Sequence, residues 1–161
     1  MPAPQAANPV RRMSDFPLPT PCVGRCSTVF GDLVCRGCKR FLHEIVDWNG
    51  YDEARKAQVW LRLERLLVQV MEDKLAIVDT QLLRHQLERR QIRFVPHLSP
   101  YCWAYQLLVH GARHIRRLDA YGLALRPALV EWTLPAVRDA IDVEFFALSE
   151  ACYRRETGSQ A

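Results

Sequence analysis

Four cysteines, Cys22, Cys26, Cys35 and Cys38, fall within 17 residues in the pattern Cys-x3-Cys-x8-Cys-x2-Cys. Thiolates are soft ligands, and four in so short a span can surround one tetrahedral ion or one iron–sulfur cluster. In Cys35-x2-Cys38 both sulfurs can grip one metal from a tight turn, and Gly37 frees the backbone inside it. Between Pro21 and Arg40 the apolar residues besides cysteine are only Val23, Val29, Phe30, Leu33 and Val34. A segment below ~40 residues with so small an apolar set rarely folds without a metal or disulfides. Ordinary thiols or two disulfides are the competing readings. The N-terminus shows no charged start followed by an apolar stretch, so a cytoplasmic, reducing location is expected, where clustered cysteines bind metal more often than they pair. Four thiolates leave net negative charge on either metal centre, and Arg25, Arg36, Lys39 and Arg40 interleave them as an offset. Spacing alone slightly favours zinc, because Cys-x2-Cys turns are common in zinc folds.

The rest of the chain divides around this segment. Residues 1–18 are rich in proline and read as a disordered tail, residues 19–50 as the four-Cys metal-binding module, and residues 51–161 as an all-α helical body. The clearest helix spans about Asp52 to Arg90, capped by Asp52, with Trp60, Leu63, Leu67, Val70 and Met71 at three- and four-residue steps. Its length suggests a break near Asp73 to Asp79. A second helix is expected from about Tyr101 to Tyr121, stopping before Gly122. A third runs from Pro127 or Pro135 to Arg155, with Val137, Ile141, Phe145 and Leu148 on one face. No convincing strand pattern lies outside the cysteine segment. The fold class is therefore mainly α, a small N-terminal four-Cys module followed by a helical bundle. Apolar residues are 49% of the chain and charged residues 25%, which excludes a mostly disordered or collagen-like chain. No run approaches the roughly 18 apolar residues of a membrane helix, so no membrane partner is expected.

The stretches Pro21-Cys-Val-Gly-Arg-Cys26 and Leu33-Val-Cys-Arg-Gly-Cys38, then Arg40, Glu44-Ile45 and Trp48, resemble the DUF1289 family over roughly residues 19–66. Members of that family are mostly short bacterial proteins described as predicted iron–sulfur proteins without an assigned activity. The resemblance implies a cofactor site on Cys22, Cys26, Cys35 and Cys38, an iron–sulfur cluster with Zn(II) as the alternative, and no reaction. Gly37, Arg40, Glu44, Ile45 and Trp48 are then its structural support. Two positions depart from the family. Phe41 stands where Thr usually begins a Thr-x-x-Glu capping box, leaving Glu44 alone to favour the first helical turn. Lys39 stands where Gly is frequent. Neither change removes a ligand.

Other constellations have blander readings. His110 and His114 stand four apart in an expected helix, but the Glu of a zinc protease is missing between them. Arg84, Arg89, Arg90 and Arg93, with Arg113, Arg116 and Arg117, form two basic clusters that could contact phosphates if the helices unite them. Glu88 and Asp119 dilute both clusters, and a net charge of +4 does not by itself imply nucleic acid. Cys102 and Cys152 read as core filling. No nucleophile–base pairing, phosphate loop or catalytic motif is visible, so no catalytic residue is assigned. The sequence thus points to a metal-binding accessory or interaction protein with a protein partner. A nucleic-acid-binding protein with a zinc-type module and an electron-transfer component are the alternatives. Metal removal is expected to unfold residues about 20–48, expose Trp48 and leave most helix intact.

Overall fold

Asp52 accepts a hydrogen bond from the Arg55 N–H (2.7 Å), which starts α2 (Glu53–Lys74) one residue after the expected cap. Before it comes the short α1 (Leu42–Asp47), and after it β1 (Leu75–Ile77), α3 (Thr80–Arg89) and α4 (Pro100–Gly111). Strand β2 (Leu123–Leu125) and the long α5 (Leu134–Thr157) complete the order. The structure, a computed structural model, describes residues 20–158, so the expected proline-rich tail at 1–18 lies outside it. The chain is mainly α, as its periodicity implies.

The break expected near Asp73 to Asp79 and the start of the third helix at Pro135 are present, and two expectations change: a strand pair lies outside the cysteine segment, and the second helix ends early. The long helix breaks at Leu75, and the break is a strand: β1 pairs antiparallel with β2, Leu75 opposite Leu125 and Ile77 opposite Leu123. Asp79 then caps α3 by accepting from the Leu82 N–H at 2.9 Å. The second helix ends at Gly111 rather than Tyr121, followed by a turn and a short 3₁₀ segment, Leu118–Tyr121. This turn brings Gly122 against Asp79. Gly122 has φ +71°, and a Cβ there would lie 2.3 Å from the Asp79 carbonyl oxygen, so only glycine fits. Its own carbonyl accepts the Val78 and Asp79 N–H groups at 2.7 and 3.1 Å. The third helix begins at Leu134 with Pro135 in its first turn, where its missing N–H costs nothing, while Pro127 opens a separate 3₁₀ turn.

Helix α2 packs against both α4 and α5, and α3 against α4. Leu63, Leu67, Val70 and Met71 from α2 meet Leu107 and Leu108 from α4 and Val137, Ile141 and Phe145 from α5 in one core. Val34, Phe41 and Trp48 belong to that same core. The second half of the cysteine segment is therefore packed into the helical body. By contrast, no residue from 20 to 33 is buried.

Candidate metal centre

The cysteine segment folds as two loops laid one on the other. The second is a hairpin knuckle closed by a bridge between Val34 and Phe41. Its hydrogen bonds run from Cys35 N to Arg40 O (2.9 Å), Lys39 N to Cys35 O (2.8 Å) and Leu42 N to Leu33 O (2.9 Å). Lys39 has φ +64°, the left-handed conformation that explains why glycine is frequent there in the family the sequence resembles. The lysine is held in this strained position by its own side chain, which is almost fully buried. Its Nζ donates to Arg36 O (2.5 Å), Gly37 O (3.2 Å) and the Asp142 carboxylate of α5.

The first loop, residues 22–26, covers the knuckle where Gly37 leaves room. A Cβ on Gly37 would lie 2.6 Å from Arg25 O and 2.7 Å from Val23 Cγ2. Arg36 N donates to Ser27 Oγ (2.8 Å), and Cys35 Sγ approaches Arg25 O at 3.6 Å, tying the loops together. Cys35 and Cys38 are buried, Cys26 is half-buried with its sulfur 2.8 Å from Thr28 Oγ1, and Cys22 is exposed.

Electrostatics separate the two knuckle thiols. Burial pushes Cys35 upward, but hydrogen bonds from the backbone of Cys38, Ser27 and Gly37, with help from the Cys38 thiol, outweigh it and bring its pKa down to about 7. Burial raises Cys38 above the ordinary thiol range, although Arg40 Nε donates to its sulfur at 3.3 Å. All six cysteines are free thiols. Among the described residues no three Cys, His, Asp or Glu side chains are arranged to hold a metal. The chemistry of the donor set nevertheless suits a soft metal: four thiols on two abutting loops, with the Arg40 guanidinium donating to the Cys38 sulfur.

The expected supporting residues hold the knuckle to the body. Glu44 has no exposed surface, and its carboxylate accepts from Phe41 N (2.9 Å), the surviving half of the capping box. It also accepts from Arg62 Nη1 and Nη2 of α2 at 2.7 and 2.6 Å. The Arg62 guanidinium lies 3.9 Å over the Phe41 ring. Phe41 thus contributes a stacking face where the family's Thr would contribute a hydroxyl. Ile45 is half-buried on α1 and donates its N–H to Phe41 O (3.1 Å). Trp48 is buried beneath Arg40, whose guanidinium stands 4.9 Å from the ring. Helix α5 closes the other side: Phe146 lies under Arg36 at 4.6 Å and Tyr153 meets Phe41 edge-on at 5.2 Å.

Arg62, Asp142 and Ser27 are absent from the sequence reading. Only Arg62 had a signal, since Glu44 is an apolar-flanked carboxylate one turn into a helix with no paired Thr. Cys102 and Cys152 are buried in the core, and burial with the nearby Glu64 carboxylate pushes Cys102 up to about 12. Of the arginines, Arg84 pairs with Glu88 (3.0 Å) and Arg117 with Asp119 (2.5 Å), both exposed. Arg90 and Arg93 line one cleft, while Arg89, Arg113 and Arg116 are exposed nearby in sequence. His110 ends α4 and His114 lies in the turn beyond it, so they do not share one helical face.

Among the described residues no helix is long and apolar enough to cross a membrane. No curated protein and no solved structure matches the chain. Residues 20–67, from the first cysteine loop through Glu44 to the Arg62 turn of α2, match the model of the DUF1289 family, described as a protein of unknown function.

Proposed function

We propose that the protein is a metal-binding accessory or interaction protein that holds one metal centre on Cys22, Cys26, Cys35 and Cys38. The observation that carries this reading is the seating of the Cys22–Cys26 loop on the Cys35–Cys38 knuckle, where Arg36 N donates to Ser27 Oγ at 2.8 Å and a Cβ on Gly37 would lie 2.6 Å from Arg25 O. Against the upward push of burial, backbone hydrogen bonds bring Cys35 down to about 7, whereas burial pushes Cys102 up to about 12. Cys35 and Cys38 grip from the knuckle, while Cys22 and Cys26 complete the set from the covering loop. An iron–sulfur cluster, which the family resemblance implies, supplies one-electron chemistry when bound, and Zn(II) supplies fold stability alone. Arg40, Lys39 and the amides around Cys35 compensate the charge of the thiolates. Val29 and Phe30, 74% and 89% exposed beside Cys26, offer an apolar surface to a protein partner.

Anaerobic purification followed by metal and sulfide analysis tests the reading. Cys22→Ser, Cys26→Ser, Cys35→Ser and Cys38→Ser are each expected to cut metal content sharply, with Cys102→Ser and Cys152→Ser unchanged. Brown colour with acid-labile sulfide identifies a cluster, and a colourless zinc-loaded protein identifies the structural alternative. Equal metal loss from Cys102→Ser would show that the ligand set is wrong.

A further inference from the structure

The ends of α3 and α4 enclose a cleft of about 520 Å³. Arg90, Arg93, His110 and His114 line it, Ile92, Ile115 and Tyr121 form an apolar wall, and among the described residues no carboxylate lines it. Arg90 and Arg93 come from the first basic cluster, and His110 and His114 join them because α4 stops at Gly111 and its following turn folds back towards the end of α3, while Arg113, Arg116 and Arg117 do not line the cleft. Neighbouring basic groups are neutralised: Arg84 by Glu88 and Arg117 by Asp119. Among the described residues Arg93 has no carboxylate within ion-pair distance, and Arg90 makes only a ring contact, its guanidinium 5.0 Å from the Tyr121 centroid.

Helix dipoles account for part of this charge, since cations are favoured in the last turn of a helix. They explain Arg90 at the end of α3 and His110 at the end of α4. They do not explain Arg93 and His114, which lie beyond both helices, where the dipole's effect has faded. The turn itself is costly. Gln91 takes φ +56° at the position where a helix ending of this kind usually has glycine, with Ile92 N bonded to Leu87 O at 3.0 Å. Using glutamine there puts an amide into the cleft lining.

We propose that this cleft binds a phosphorylated small molecule of about nucleotide size. Its phosphate is held by Arg90, Arg93, His110 and His114, and its apolar or planar part rests on Ile92, Ile115 and Tyr121. Arg90, already fixed over Tyr121, needs little reordering to meet an anion, and guanidinium suits phosphate through paired N–H donors. The volume falls in the range of small-molecule sites, and the concave shape fits one compact anion better than an extended polymer. The site is independent of the cysteine centre and stands or falls without it.

Calorimetric titration of the full-length protein at low ionic strength tests the proposal with pyrophosphate, AMP, adenosine and a short single-stranded RNA as probes. Pyrophosphate and AMP are expected to bind and adenosine not. Arg93→Gln and His114→Gln are exposed positions that leave the fold and the metal content intact. Arg93→Gln should weaken AMP by about tenfold or more, and His114→Gln should weaken it measurably. No binding of either phosphate probe overturns the proposal, as does adenosine binding as tightly as AMP. Phosphate binding unaltered by both substitutions places the anion elsewhere and overturns the assignment. Salt-sensitive binding of the RNA alone replaces a small-molecule site with an extended nucleic-acid face.

Discussion

Glu44→Ala removes the carboxylate that joins the cysteine knuckle to α2, and its cost can be worked from the contacts. The Arg62 side chain is 10% exposed and Glu44 not at all, so the pair is screened little by solvent. Losing Glu44 strands a guanidinium over Phe41, and Arg62 Nε is already a buried donor with no hydrogen-bond partner. It also orphans the buried Phe41 N–H, which donates to Glu44 Oε1 at 2.9 Å. Breaking a buried ion pair from one side costs about 3–5 kcal/mol, and an orphaned amide about 1–3 more, with overlap between the two. A loss on the order of 4 kcal/mol is a large share of the roughly 5–15 kcal/mol by which domains are stable. For a chain of this size it corresponds to a fall of roughly 8–16 °C in Tm. Glu44→Gln keeps an acceptor for Phe41 N and should lose less. Glu44→Leu with Arg62→Met removes both charges together and should recover most of the loss, because apolar replacements of a buried pair are often close to neutral. Urea and thermal denaturation of metal-loaded protein, followed by circular dichroism, read all three. A Glu44→Ala loss under about 1 kcal/mol, or a double variant as unstable as Glu44→Ala, would refute the reasoning.

Gly122→Ala forces a Cβ into the Asp79 carbonyl from a left-handed residue, so a loss of at least about 2 kcal/mol is expected in the same unfolding assay. Gly37→Ala should lift the 22–26 loop off the knuckle and lower metal content while leaving the helical signal intact, as read by metal analysis and circular dichroism. In metal-free folded protein, Cys35 alkylation should rise as pH climbs through about 7, since only the thiolate attacks, whereas Cys102 should stay unreactive under the same conditions. Metal removal should free residues 20–33, where nothing is buried, and leave Val34 to Trp48 docked. Trypsin should then cut at Arg25 before Arg40, with little shift of Trp48 emission in a chain whose other tryptophans are changed to Phe. Early cleavage at Arg40 with a large Trp48 shift would show that the knuckle itself depends on the metal.

That last expectation redraws the division at residue 50 suggested by the sequence. Apolar counting measures how much a segment can bury against itself, and by that measure residues 20–40 are poor. It does not register that Phe41 finds Arg62 and Tyr153, or that Lys39 finds Asp142, because those partners lie far along the chain. The cysteine loops, the Asp52 cap, the buried stripe of α2 and the Val137–Ile141–Phe145 face were legible, since each rests on spacing within one element. Strands of three residues, β1 and β2, have too few positions to show alternation and are fixed only by pairing with each other. The early end of α4 was hidden because Gly111 is an ordinary helical residue and the stop comes from the turn that packs Ile115 and Tyr121.

The knuckle's attachment to α5 gives the chain an awkward order of synthesis. Lys39 reaches Asp142 across 103 positions, and Phe41 meets Tyr153 later still. At about 5–20 residues per second on the ribosome, the cysteine loops emerge roughly 5–20 s before the surface that receives them. During that interval Cys35 and Cys38, buried in the finished protein, are open to oxidants and to metal ions. Loading at this stage needs no opening of the native fold, whereas loading afterwards must work through the exposed 22–26 loop. If the proposed metal centre is bound, the growing chain is the easier substrate for metal delivery, and the arrival of α5 is the step that closes the door.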